Sequence, residues 1–219
     1  MTLVSESRQE REKMVAEQIA ARGVGDPLVL DAMRAVPRED FLPVEMAAFA
    51  YEDGPLPIGH GQTISQPYIV AVMAAAARLC PGDRVLEIGT GSGYAAAVLS
   101  KIAADVYTVE RIEALALSAA DRLAGLGYPN VHVRCGDGTL GWQEHAPYDA
   151  IIVTAGGPRV PRALQEQLKQ GGRLVMPVGS EPRGQRLIRR TRTGPSTYAD
   201  DDLEWVAFVP LIGAEGWPA

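Results

Sequence analysis

From residue 84 onward the chain alternates short runs of branched apolar residues with stretches of helical spacing, and this alternation constrains the fold more than any other feature. The runs lie at 85–88, 106–109, 131–133, 150–153 and 173–176, with helices expected at about 94–102, 112–125 and 160–169. Apolar strands separated by helices form a parallel sheet covered on both faces, because a strand buried on both sides needs no polar alternation. Two later runs, 186–192 and 205–209, flank the turn-rich Thr193-Gly194-Pro195-Ser196 and predict an antiparallel hairpin at the sheet's end. The predicted class is therefore α/β.

The first 80 residues read differently. Ser7 stands three residues before Glu10, a capping-box spacing, and Met14, Val15 and Ile19 follow on one face until Gly23 stops the helix. Asp26-Pro27 predicts an N-cap and first helical residue, and Gln66-Pro67 opens a further helix. Prolines 55 and 57 among glycines 54, 59 and 61 predict an irregular loop over 53–62. With 219 residues and no linker or repeat, we expect a single domain, 1–219, made of a helical cap and loop (1–80) and an α/β core with its hairpin (81–219).

A net charge of −6 and a pI near 5.2 argue against nucleic acid as a partner, since phosphate binding needs a dominant basic face. No apolar run approaches the ~18 residues of a membrane span, and the N-terminal residues carry neither signal-peptide nor transit-peptide features, so a cytoplasmic protein is expected. Cys80 and Cys135 have no metal-ligand spacing, so no metal is expected and both are read as reduced core thiols.

The chemistry concentrates in Val85-Leu-Glu87-Ile-Gly89-Thr-Gly91-Ser-Gly93-Tyr94-Ala95, a strand that runs through alternating glycines into a helix. Such glycines let a ligand approach backbone amides with no Cβ in the way. Glu110 follows about twenty residues on, where a carboxylate accepts hydrogen bonds from ribose hydroxyls. Asp137, in Gly136-Asp137-Gly138, is a further acid at a strand end, placed to accept from an adenine amino group; as a lone motif it also reads as a β-turn. The pattern Gly91-x-Gly93-x-x-Ala96 formally fits a nicotinamide site. Glu87, Glu110 and Asp137 together suit a cationic adenosyl ligand better than a dianionic pyrophosphate.

Residues 51–68 (YEDGPLPIGHGQTISQPY), with VLEIGTGSGYAAAVL, GDG, YDAIIVTAG, LKQGGRLVMPVG and VAFVPLIG, resemble the protein-L-isoaspartate O-methyltransferase family over nearly the whole chain. The segment Gly61-Gln62-Thr63-Ile64-Ser65-Gln66-Pro67 is the most specific part of the match. The glycines of Thr154-Ala155-Gly156-Gly157 depart mildly from the family pattern.

The resemblance implies a Rossmann-like fold dependent on S-adenosyl-L-methionine, with S-adenosyl-L-homocysteine as product. It also implies methyl transfer to the free carboxylate of L-isoaspartyl, and less efficiently D-aspartyl, residues of damaged proteins and peptides. By motif match it places the cofactor at Glu87, Gly89, Gly91, Gly93, Glu110, Asp137 and Gly138. It makes Ser65 the catalytic serine and places substrate against Thr63, Ile64, Ser65, Val206 and Leu211. A monomer is expected.

A carboxylate acceptor is already ionised at neutral pH, so no general base is required, and His60, His132 and His145 form no catalytic constellation in the sequence. Ser65 also reads as an N-cap ahead of Pro67, and the two roles are compatible. Arginines 183, 186, 189, 190 and 192 are read as a charged hairpin edge that discourages strand-to-strand aggregation. A methyltransferase for another acceptor, a nicotinamide-dependent oxidoreductase and a non-catalytic adaptor of the same fold are the competing readings.

Overall fold

Glycine, proline and capping residues interrupt the N-terminal region at short intervals, so it folds as a string of short helices. The computed structural model describes residues 3–181 and 184–218. Helix α1 (Leu3–Lys13) continues as a π-helical turn, Met14–Ile19, and a 3-10 turn, Ala20–Arg22. It ends at Gly23, whose φ of 98° only glycine adopts without strain. Ser7 lies inside α1 and not at its start, which corrects the capping-box expectation; a Ser and Glu three apart also fit one face of a helix already under way. Helix α2 (Pro27–Ala35) starts as expected, with the Asp26 carboxylate accepting from the Leu28 and Val29 amides.

Residues 53–62 are more regular than expected, containing β1 (Leu56–Gly59) and, across a tight reversal, β2 (Gln62–Ile64). Positive φ at His60 (51°) and Gly61 (69°) provides the backbone twist that joins two antiparallel strands through two residues. Helix α3 (Pro67–Ala77) then returns the chain to the core.

The core elements are β3 (Arg84–Ile88), α4 (Tyr94–Ser100), β4 (Asp105–Glu110), α5 (Glu113–Gly125), β5 (Val131–Cys135), β6 (Tyr148–Val153), α6 (Arg162–Gln167), β7 (Leu168–Val178), β8 (Gln185–Arg192) and β9 (Tyr198–Val206). They build a seven-stranded sheet of order β5-β4-β3-β6-β7-β8-β9, parallel from β5 to β7 and antiparallel from β7 to β9. Successive strand residues feed opposite faces: Val85 joins the cluster under α3 and α4, while Leu86 and Ile88 join the one that includes Leu164 of α6. The strand order reverses between β3 and β6, and ligands of doubly wound sheets bind beyond the carboxyl ends of the strands at such a point.

Strand β9 begins seven residues before the expected start at 205. Its extent follows from charge: Asp200, Asp201 and Asp202 pair with Arg190, Arg189 and Arg186 of β8 at 2.6, 2.8 and 3.5 Å. An acidic run that looks like a loop in isolation is thus one side of a cross-strand ladder. Arg183 lies outside the described residues. Cys80 and Cys135 are both exposed, not core thiols: Cys135 ends the edge strand β5, and Cys80 sits in the turn that precedes β3.

Candidate active site

The glycine loop follows β3 directly, and its shape is forced by its neighbours. Gly89 has φ 96°, and a Cβ there would meet Thr154 Oγ1 at 2.4 Å. Thr154 in turn donates to the Gly89 carbonyl at 2.8 Å, so the loop is fastened to the end of β6. Gly91 (φ 54°) and Gly93 (φ 91°) are also left-handed, and a Cβ on Gly93 would press on Leu123 of α5 at 3.1 Å. A side chain at Gly138 would strike Ile88 at 2.4 Å. These close approaches of neighbouring side chains require glycine.

The three acids do different jobs. Glu110 ends β4 at the cleft, its carboxylate accepting from Gly91 N at 3.0 Å and Ile112 N at 2.9 Å. Glu87 is not at a strand end, contrary to expectation: it lies within β3, fully buried, and does not line the cleft. Thr108 donates to its Oε2 at 2.6 Å, and the hydroxyl of Thr90 in the glycine loop is hydrogen-bonded to that of Thr108, 2.6 Å away. Burial pushes the Glu87 pKa up to about 8, only partly offset by the Thr108 hydrogen bond. Asp137 caps the short turn Gly138–Leu140 by accepting from Thr139 N and Oγ1, and accepts from Ala214 N at 2.8 Å. Burial raises its pKa, but those hydrogen bonds outweigh burial and hold it below the usual carboxylate range. Its neighbour Gly138 lines the cleft, and its own carboxylate also fastens the tail.

Two clefts meet beyond the strand tips. The first is lined by Gly89, Gly91, Glu110 and Gly138, with Ile88, Val109, Leu211 and Ile212 as apolar walls. The second, of about 840 Å³, holds Ser65, Gln66, Ile69, Trp205, Val206 and Phe208. Thr63, Thr154, Val209 and Pro210 line both and form the wall between them. Of the expected substrate residues, Thr63, Ser65 and Val206 face the wide cleft, whereas Leu211 faces the first and Ile64 is buried in the core beneath. Gly93 supports the loop without reaching the cleft.

Sequence reasoning missed Thr154, whose signal was its place at the end of a predicted strand, and the cation at the rim. Arg22 lies over the Tyr68 ring at 3.5 Å and pairs with Asp53 at 3.1 Å, and Gln66 donates to the same carboxylate at 2.7 Å. These residues are far apart in sequence and carry no motif.

The first cleft fits an adenosyl cofactor. Gly89, Gly91 and Gly138 line it without side chains, and the strand-end carboxylate of Glu110 lies at its wall. A doubly wound sheet with this cleft at its reversal point, opening through a shared wall onto an acceptor cleft, defines a Rossmann-like methyltransferase. The family model described as protein-L-isoaspartate(D-aspartate) O-methyltransferase matches residues 9–216, and the chain belongs to that family.

Its relatives agree. Protein-L-isoaspartate O-methyltransferase 1 of Rhodopseudomonas palustris (strain HaA2) is 64% identical over 95% of this chain and 85% of its own length. Protein-L-isoaspartate O-methyltransferase 2 of Pelobacter propionicus is 62% identical over 94% and 92%. A solved protein-L-isoaspartate O-methyltransferase superposes with a TM-score of 0.85 at 34% identity, covering 94% of this chain and 67% of that one. A Plasmodium falciparum structure assigned to the same methyltransferases, in complex with S-adenosyl-L-homocysteine, gives 0.79 at 26% identity, over 92% and 98%.

Proposed function

We propose that this chain transfers the methyl group of S-adenosyl-L-methionine to the free carboxylate of L-isoaspartyl, and less efficiently D-aspartyl, residues in damaged proteins and peptides. The observation that carries this reading is the shared wall of Thr63, Thr154, Val209 and Pro210, which lets two bound molecules meet while each is held by separate residues.

When bound, the cofactor supplies an electrophilic methyl on a sulfonium; Glu110, with Gly89, Gly91 and Gly138 beside it, would hold it. The acceptor needs no deprotonation, because a carboxylate is ionised at neutral pH. Ser65 and Thr63 bring hydroxyl donors to the wide cleft, and a neutral donor holds a carboxylate without pairing away its charge as a guanidinium would. Their work is orientation, worth up to roughly 7–11 kcal/mol when attacking atom and methyl are held in line. The following backbone amide nitrogen then attacks the ester carbonyl and expels methanol to close a succinimide, and water opens part of that ring to ordinary aspartate.

Net charge −6 supports a peptide partner over nucleic acid. Among the described residues no helix is long and apolar enough to cross a membrane. We extend the reading to a cytoplasmic monomer of one domain, with residues 1–80 as cap and 81–219 as core. A thermal-shift titration tests the cofactor assignment: S-adenosyl-L-homocysteine should raise the melting temperature and NADH should leave it unchanged. Stabilisation by NADH alone would favour the nicotinamide reading.

A further inference from the structure

Arg38 is a buried cation that the site as described so far does not use. Its side chain is 0% exposed, and among the described residues it forms no ion pair with a carboxylate. Its guanidinium instead collects backbone carbonyls from separate segments: Nη1 donates to Ala50 at 2.5 Å, and Nη2 donates to Gly54 at 3.1 Å and to Ser65 at 3.0 Å. The ring of Tyr94, itself buried on α4, lies 5.9 Å from the guanidinium carbon. Burial lowers the Arg38 pKa, but arginine starts so high that it stays charged. Burying a cation that has no carboxylate partner is costly, and a neutral residue at this position would avoid that cost.

The placement of the Ser65 contact explains the expense. In a trans peptide the carbonyl and the following N–H point in opposite directions. With the Ser65 carbonyl turned inward to Arg38, the Gln66 N–H points the other way, and Ser65 and Gln66 both line the wide cleft.

We propose that Arg38 is a positioning residue for methyl transfer, fixing the Ser65–Gln66 peptide so that the serine hydroxyl faces the acceptor carboxylate. This rests on the proposed role of Ser65. Arg38 is not placed to touch the substrate, so its effect must pass through the loop it fastens.

A double-mutant cycle tests this: Arg38→Lys and Ser65→Ala, singly and together, with kcat and KM measured on an isoaspartyl peptide, cofactor-product affinity by calorimetry, and a thermal melt. Lysine keeps the charge but loses the planar fork that spans separate carbonyls. Arg38→Lys should lower kcat about tenfold with S-adenosyl-L-homocysteine affinity within about threefold, and the same change in the Ser65→Ala background should cost less than about threefold. Equal factors in both backgrounds, with Ser65→Ala impaired, would overturn the Arg38 proposal and leave Ser65 standing. Full activity in Ser65→Ala alone would overturn the reading of Ser65. Arg38→Gln serves as a second variant, expected to behave as Arg38→Lys does. Loss of a cooperative melt in both would assign Arg38 to the core and overturn the proposal.

Discussion

The Glu110 carboxylate accepts a hydrogen bond from the Gly91 amide at 3.0 Å, so the residue that ends one strand sets the shape of the glycine loop that follows its neighbour. Its other oxygen accepts from Ile112 N. Each oxygen retains a lone pair, and the side chain stands in the wall of the cleft, so the same group can shape the loop and accept from a ribose hydroxyl. Glu110→Ala should weaken S-adenosyl-L-homocysteine binding by about tenfold or more, from the loss of charge-assisted hydrogen bonds. Calorimetry reads this directly, and unchanged affinity would remove Glu110 from the cofactor site.

Ser65 is assigned the opposite profile. It lines the wide cleft and not the cofactor cleft, so Ser65→Ala should lower turnover by about a hundredfold at most while product affinity stays within a few-fold. Steady-state kinetics paired with calorimetry separates the effects. Loss of cofactor-product binding in this variant would contradict a purely positioning serine.

Glu87 makes stability depend on pH in the unusual direction for a carboxyl. Its folded pKa, about 8, lies above the ordinary value of 4.5 because burial disfavours the charged form. The folded state therefore holds a proton that the unfolded state releases, so this contribution is complete below about pH 4.5 and is lost as pH rises to about 8. The slope is at most roughly 1.4 kcal/mol per pH unit. Glu87→Gln, which cannot ionise, should flatten the fall in denaturation midpoint between pH 5 and 8. Parallel wild-type and variant profiles would show that the carboxyl is ionised in the folded protein.

The tail beyond Gly213, which matches no recognisable pattern in the sequence, is built into the fold. Glu215 accepts from the Arg162 and Ala163 amides at the start of α6, and Glu215 N donates to Thr139 Oγ1 at 3.1 Å. The Trp217 indole donates to the Gly156 carbonyl at 3.0 Å. Glu215→Ala should cost about 1 kcal/mol, as loss of a helix N-cap does. Removing residues 214–219 should cost more and also weaken product binding, because Ala214 is a partner of Asp137 behind the cleft. Chemical denaturation and calorimetry on the two variants check both statements.

The parallel strands, their helices and the glycine loop were legible because each is a local pattern: apolar runs bounded by turns, and glycines where a Cβ would strike Thr154 or Leu123. Asp26 and Gly23 were legible for the same reason, as a cap and a stop. What could not be read depends on partners distant in sequence. Asp200–Asp202 look like a loop until the β8 arginines are opposite them, and the burial of Glu87 under the loop depends on Thr108 of the neighbouring strand. Asp137 is spoken for by a tail 77 residues away. Cys135 was misread because the order of strands, which puts β5 at an edge, is not contained in periodicity.

On this mechanism the two clefts bring a methyl donor and an isoaspartyl carboxylate together across one wall. The direct test is transfer of label from methyl-labelled S-adenosyl-L-methionine to a pair of peptides identical except for an aspartyl or isoaspartyl linkage. Label should enter the isoaspartyl peptide and be released as methanol on mild base treatment, with the aspartyl peptide at background. Equal labelling of the pair, or none in either while the protein binds the cofactor, would contradict the account.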